Sequence, residues 1–220
     1  MKKEVKVSFI ITGALFLLFA IFTVLVMTVN VAPIGPESSK VGLSAINKAV
    51  HGALGTSDLW YNISEILGYI PLLAVPCFAV VGLVQLIKRK NLFKVDVSVL
   101  LLGAFYVLVA VFYVAFELFV VNYRPVLEEG ALEASYPSSH TMLACCVMIS
   151  GIFAFYSLVK NKIARIIVLA SSITVSTLTV VTRLLSGVHW LTDIVGGVLL
   201  SAALVMLYAS FLSLFRSKKK

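Results

Sequence analysis

Residues 96–140 read DVSVLLLGAFYVLVAVFYVAFELFVVNYRPVLEEGALEASYPSSH. From Val97 to Phe116 no side chain is charged, and about 20 such residues are what a helix needs to cross roughly 30 Å of hydrocarbon. The apolar run then opens onto Arg124-Pro125 and, past a short polar loop, onto Pro137-Ser138-Ser139-His140. An ionisable side chain beside hydrocarbon is costly unless it faces a cavity or a partner. The stretch therefore predicts two things together, a membrane-spanning helix and a polar site at its end.

The pattern repeats on either side. Apolar segments lie at about 8–31, 60–87, 96–122, 141–159, 164–181 and 192–215, each close to spanning length. Hydrophobic residues fill 60% of the 220 positions and charged residues 13%, with a mean hydropathy of +1.05, outside the balance of a soluble domain. The expectation is an all-α integral membrane protein, a six-transmembrane-helix bundle forming a single domain over residues 1–220. The first segment follows Lys2, Lys3 and Lys6 as a secretory signal would, but Phe9 to Val31 is too long for one and reads as an uncleaved span.

Between the first two spans, Ser38–Leu54 sets Val41, Leu43, Ile46, Ala49, Val50, Ala53 and Leu54 among Ser44, Asn47, Lys48 and His51. That spacing predicts an amphipathic interfacial helix in the first outer loop, introduced by the turn at 33–36 and serving as a lid, a lipid entrance or a connector. Cys77, Cys145 and Cys146 fall within spans at no metal-ligand spacing, so they read as small buried apolar residues.

Charge orients the bundle. Lys2, Lys3 and Lys6, then Lys88, Arg89, Lys90 and Lys94, then Lys160, Lys162 and Arg165, then Arg216, Lys218, Lys219 and Lys220 all fall on one side of a six-span topology. The other side keeps Lys40, Lys48, Arg124 and Arg183. The positive-inside rule makes the first side cytoplasmic, with both termini there and the chain in the plasma membrane. The net charge of +8 is thus an orientation signal, and no nucleic-acid partner is expected. The outer loops, at about 33–59, 123–140 and 183–191, are left to carry chemistry.

Three strings lie on that outer side: Arg124-Pro125, Pro137-Ser138-Ser139-His140, and Arg183-x5-His189-x3-Asp193. Phosphoryl transfer needs guanidinium forks and N–H donors for the anionic oxygens, a nucleophile in line with the leaving oxygen, and an acid to protonate it. Arg124 and Arg183 are the natural clamps. Residues 136–140 open a helix whose first-turn amides and dipole favour an anion, with Ser138 and Ser139 adding hydroxyls. His189 and Asp193, four apart at a helix start, share one face, so the carboxylate is expected to hold one imidazole nitrogen and aim the other outward.

In this order the strings resemble the signature of the type 2 phosphatidic acid phosphatase superfamily, membrane relatives of bacterial acid phosphatases and vanadium haloperoxidases. The family pattern is Lys-x6-Arg-Pro, Pro-Ser-Gly-His and Ser-Arg-x5-His-x3-Asp; here it reads Glu117-x6-Arg124-Pro125, Pro137-Ser138-Ser139-His140 and Thr182-Arg183-x5-His189-x3-Asp193. The resemblance implies His189 as the nucleophile forming a phosphohistidine, Asp193 as its orienter, and His140 as the acid. It implies Arg124, Arg183, Ser138 and the amide of Ser139 as holders of the phosphoryl oxygens, with no metal and no cofactor. Glu117 stands where the family has Lys. A carboxylate cannot bind a phosphate dianion, so Glu117 is expected to pair with Arg124 or Arg183, to touch a cationic or hydroxylated part of a head group, or to serve only packing and charge balance.

The activity implied is hydrolysis of a membrane lipid phosphate or pyrophosphate, of undecaprenyl pyrophosphate, phosphatidylglycerol phosphate or phosphatidic acid type, on the extracytoplasmic face. Two alternatives use the same residues. The phosphohistidine could pass its phosphate to another lipid or sugar, or Glu117 could leave a lipid-phosphate-binding protein without turnover. Neither the lipid nor the oligomeric state is legible in the sequence.

Overall fold

A computed structural model describes residues 2–128 and 130–217. Its helices are α1 (Lys3–Thr28), α2 (Ser44–Leu54), α3 (Asp58–Arg89), α4 (Val97–Leu118), α5 (Ser139–Leu158), α6 (Lys162–Leu185) and α7 (Leu191–Ser217). All but α2 are long and apolar enough to cross a membrane, with mean hydropathies between 1.8 and 2.8. The chain is a multi-pass, all-helical membrane protein. Among the described residues the only extended pairings are isolated antiparallel bridges.

α7 is the central element, packed on α1, α4 and α5, while α3 and α6 close the other flank against α5. The core between them is aromatic and aliphatic: Phe19, Leu102, Phe105, Tyr136, Met142, Leu200, Leu204 and Tyr208. Outward faces such as Ile10, Leu17, Ile66, Leu73, Val107 and Ile166 stay exposed, as lipid-facing side chains of a spanning bundle must. α3 runs through Pro71 and Pro76 without a break, which spanning helices tolerate. Cys77 is on such an outward face and only Cys146 is fully buried; all three thiols are free.

The basic end of the bundle gathers the start of α1, the α3–α4 and α5–α6 connections and the end of α7. Arg165 is committed there to structure: it donates to the carbonyls of Val159 and Tyr156, at 2.7 and 2.6 Å, closing the end of α5. Lys218, Lys219 and Lys220 lie outside the described residues.

Two predicted boundaries move for a physical reason. The third span ends at Leu118, short of 122, because the chain must turn there into a hairpin. Asn122 O accepts from Ser135 N at 2.9 Å and Glu133 O from Arg124 N at 3.0 Å. The interfacial helix begins at Ser44, after a 3-10 turn at Pro36–Ser38 and a left-handed Leu43. Its polar side faces inward. Asn47, fully buried, donates to Gly42 O and Thr192 Oγ1, both at 2.9 Å, and accepts from Thr192 N at 3.2 Å, while Ile46 and Leu54 face out.

Asn47 therefore pins α2 to the start of α7. Asn47→Ala strands the amide of Thr192 and the carbonyl of Gly42 in a buried place, at about 1–3 kcal/mol. A thermal melt of the variant in detergent is expected to show a lower midpoint than wild type; an unchanged midpoint contradicts this role.

Candidate active site

The sequence-predicted residues all gather at the end of the bundle away from the basic residues. The hairpin after α4 builds the first part. Pairing of Asn122 with Ser135 and of Arg124 with Glu133 brings alternate residues of each arm to one face, the period-2 rule of extended chain. Arg124 ends up buried, flanked by two carboxylates of its own loop: an ion pair to Glu128, and Glu133 at 3.3 Å from Nη2. The two acids act on each other. Their mutual hydrogen bond, with burial, pushes Glu133 above the ordinary carboxyl range. Burial works upward on Glu128 as well, but that bond and the Arg124 charge outweigh it and hold Glu128 low.

Tyr136 fastens the next string. Its ring lies among Phe19, Phe22 and Phe116, and its hydroxyl meets Thr23 Oγ1 at 2.7 Å. Ser138 is the N-cap of α5, accepting from Thr141 N at 3.4 Å. Its amide donates to Asp193 O at 3.0 Å, leaving the hydroxyl proton for a ligand. Ser139 and His140 follow in the first turn. His140 fits because α3 has Gly68 opposite: a Cβ there would lie 2.9 Å from His140 Cδ2.

Asp193 is fully buried in the first turn of α7. Its Oδ2 accepts from Trp190 N at 2.9 Å, a reciprocal cap, since Asp193 N donates to Trp190 O at 3.0 Å. Its Oδ1 accepts from Asn122 Nδ2 at 3.2 Å. The expected direct bond to His189 is absent: Nδ1 lies 3.7 Å from Oδ2, beyond hydrogen-bond reach. The hydroxyl of Ser135 stands between, donating to Asp193 Oδ2 and sitting 3.1 Å from His189 Nδ1. With that proton committed, Ser135 Oγ accepts from Nδ1–H, so Nε2 is the basic nitrogen of His189. Gly187, at φ +70°, makes the turn that swings His189 inward; its carbonyl meets His51 Nε2 at 3.1 Å.

Arg183, in the last turn of α6, is 1% exposed and held by α3. Nη1 donates to Ser64 Oγ at 3.0 Å and to Glu65 Oε1 at 2.6 Å, and the guanidinium carbon lies 5.5 Å from the Tyr61 ring centre. The same Glu65 Oε1 is 3.3 Å from His140 Nε2. Glu117 pairs with neither arginine; it is exposed at the rim of a narrow crevice lined by Phe112, Phe116, Ser135, Pro137, Ser139 and His189. Among the described residues, the acids that meet these two arginines are Glu65, Glu128 and Glu133. Those three, with Asn122 and Ser135, are the site residues that the sequence reading passed over. Glu133 and Ser135 sit directly before the Pro-Ser-Ser-His string, and Glu65 carries one signal, a carboxylate inside an apolar span.

What distinguishes the site is its unpartnered nitrogen. Arg124 Nε, Arg183 Nε, His140 Nδ1 and His189 Nε2 are all buried without a hydrogen-bond partner among the described residues, whereas buried polar atoms normally have one. Four predicted side chains thus present free nitrogens in one buried region, and the charges of Arg183, Arg124 and His140 all bear on His189. Such a set suits a multivalent oxyanion. Among the described residues no three His, Cys, Asp or Glu side chains are grouped to hold a metal ion.

The chain belongs to the PAP2 superfamily, whose family model matches residues 73–216; membership supports phosphatase activity. Among solved structures, the fold matches a transmembrane PAP2-type phosphatidylglycerolphosphate phosphatase from Bacillus subtilis. The TM-score is 0.61 at 21% identity, over 92% of this chain and 96% of that one. Comparison with curated proteins gave no match.

Gly68→Ala separates site from fold. Ala in a helix interior is normally favoured over Gly by up to about 1 kcal/mol, but here its Cβ meets the His140 ring. The variant should keep its melting midpoint while phosphatase turnover falls by about tenfold or more, the scale on which displaced catalytic groups act; full turnover would show that His140 sits elsewhere in the working enzyme.

Proposed function

We propose that this protein is a lipid phosphatase that removes a terminal phosphate from a membrane lipid through a phosphohistidine on His189, as one catalytic unit spanning the chain. The observation that carries this reading is the convergence of unpartnered buried nitrogens on Arg124, Arg183, His140 and His189. In the proposed first step His189 Nε2 attacks phosphorus, the bond from phosphorus to the leaving oxygen breaks, and His140 gives that oxygen its proton. Water then attacks the phosphohistidine, His140 takes a proton back, and the N–P bond breaks to release inorganic phosphate. Arg124 and Arg183, with the start of α5, hold the phosphoryl oxygens. Asp193 acts on His189 through Ser135, fixing Nδ1–H and leaving Nε2 free. No metal is required, because the guanidinium pair and the imidazoles supply the positive charge that the transition state needs.

The basic residues at the opposite end support an outward-facing site with cytoplasmic termini. Phosphatidylglycerol phosphate stands first among candidate substrates because the structurally similar B. subtilis protein is described by it; undecaprenyl pyrophosphate and phosphatidic acid follow.

Phosphate release by purified protein over these lipids tests the reading. His189→Ala and His140→Ala should each lose nearly all turnover, given that a positioned acid or base is worth about 10²–10⁴ in rate, and EDTA should change nothing. Near-normal turnover by His189→Ala, or loss to EDTA restored by a divalent ion, contradicts the mechanism. Added lipid or sugar acceptors should leave inorganic phosphate as the product; a phosphorylated acceptor would assign a phosphotransferase instead.

The pH profile is a separate check. Burial, then the Arg183 charge, lowers the His189 pKa well below 6.5. A nucleophile depressed in this way stays neutral as pH falls through 6.5, so the acid limb of kcat/KM should lie below that value. An acid limb centred at or above pH 6.5 argues against His189 as the attacking base.

A further inference from the structure

Glu65 lies in no motif string, yet its Oε1 bonds the most deeply buried cation of the site and also faces His140. Arg183 donates to it at 2.6 Å, and His140 Nε2 is 3.3 Å away. A carboxylate oxygen on a guanidinium N–H occupies the kind of position that a phosphoryl oxygen takes, since both are anionic acceptors for the same donor. Resting on the proposed phosphate pocket, we propose that Glu65 is its internal occupant, an anion that the incoming phosphoryl group displaces from Arg183.

The two partners are unequal in a way that permits exchange. The Arg183 side chain is 1% exposed and the Glu65 side chain 32%. Arg183 is fixed by Ser64 Oγ, by the Tyr61 ring, and by Ser186 Oγ, which donates to the Arg183 carbonyl at 2.7 Å. Glu65 has three side-chain torsions and an opening to water, so its carboxylate can leave and be solvated. An arginine at that depth cannot follow it, and would be stranded at high cost unless another anion arrived. Departure of Glu65 and arrival of phosphate are thereby coupled.

The consequence is a threshold. Apparent affinity falls by the fraction of protein whose pocket is open, and the factor is common to every anion that must evict the same carboxylate. In a bilayer crowded with phosphodiester head groups, this keeps singly charged neighbours from settling on Arg183 while leaving the order of preference among anions untouched.

The test is a ³¹P NMR titration of purified full-length protein in detergent with orthophosphate and with dimethyl phosphate. It compares wild type, Glu65→Gln, which keeps the shape but not the charge, and Glu65→Asp, whose shorter arm withdraws the carboxylate from Arg183. Expected is tighter binding of both anions by a common factor of about 10, with tightening in either variant supporting the exchange. Unchanged or weaker binding in both variants, while wild type binds orthophosphate and Arg183→Ala does not, overturns the role of Glu65 and leaves the pocket standing. If orthophosphate binds no form and Arg183→Ala changes nothing, the pocket itself is refuted and the inference falls with it.

Discussion

A carboxylate with no exposed surface has to be satisfied by its neighbours or it will not be charged, and Asp193 is such a group. Its oxygens take the Ser135 hydroxyl, the Trp190 amide and the Asn122 side-chain amide, and its own carbonyl takes the amide of Ser138. Those four donors come from both arms of the hairpin, from the α6–α7 turn and from the start of α5. One residue thus gathers the three separated segments that bear Arg124, His140 and His189. Deleting its charge would leave the three donors on its carboxylate facing one another in a dry place, so the geometry of the whole rim depends on it.

The membrane makes that constraint useful. Six helices satisfy their own backbone and present apolar flanks to lipid, which leaves polar bonding at this rim to be settled by a handful of side chains. Arg183, Asp193, Thr192 and Asn47 all reach the site end from helix termini. Helix N-termini expose the N–H groups that bind anions, and the C-terminal turn of α6 favours the cation Arg183. The opposite rim is given over to arginine and lysine at helix connections.

Spanning helices were legible because twenty uncharged apolar residues have one stable outcome in lipid, and the Arg, His and Asp strings were legible because their spacing is local. The hairpin at 122–135 was not. Its residues read as a polar loop, and the pairing that places Ser135 against Asp193 is set by contacts with α7 that no window of sequence contains. Glu65 was hidden for the opposite reason: it lies on a long apolar segment, and its partner Arg183 is far away in the chain. Glu117, the acid that the motif brought forward, proved to be at the crevice rim, because α4 ends at Leu118 and turns its last residues away from both guanidiniums. The interfacial helix was placed correctly as an element, but its start and the inward face of Asn47 required the Asn47–Thr192 bonds to be seen.

The account stands or falls on His189 Nε2 as the atom that takes the phosphoryl group. Rapid mixing of the purified enzyme with a lipid phosphate, an alkaline quench and mass spectrometry of the peptides test this directly, since phosphohistidine survives base and is lost in acid. The account predicts one phosphate on the peptide containing His189, appearing within a turnover and missing from the His189→Ala protein. Turnover with no phosphorylated peptide, or with the phosphate on another residue, would contradict it.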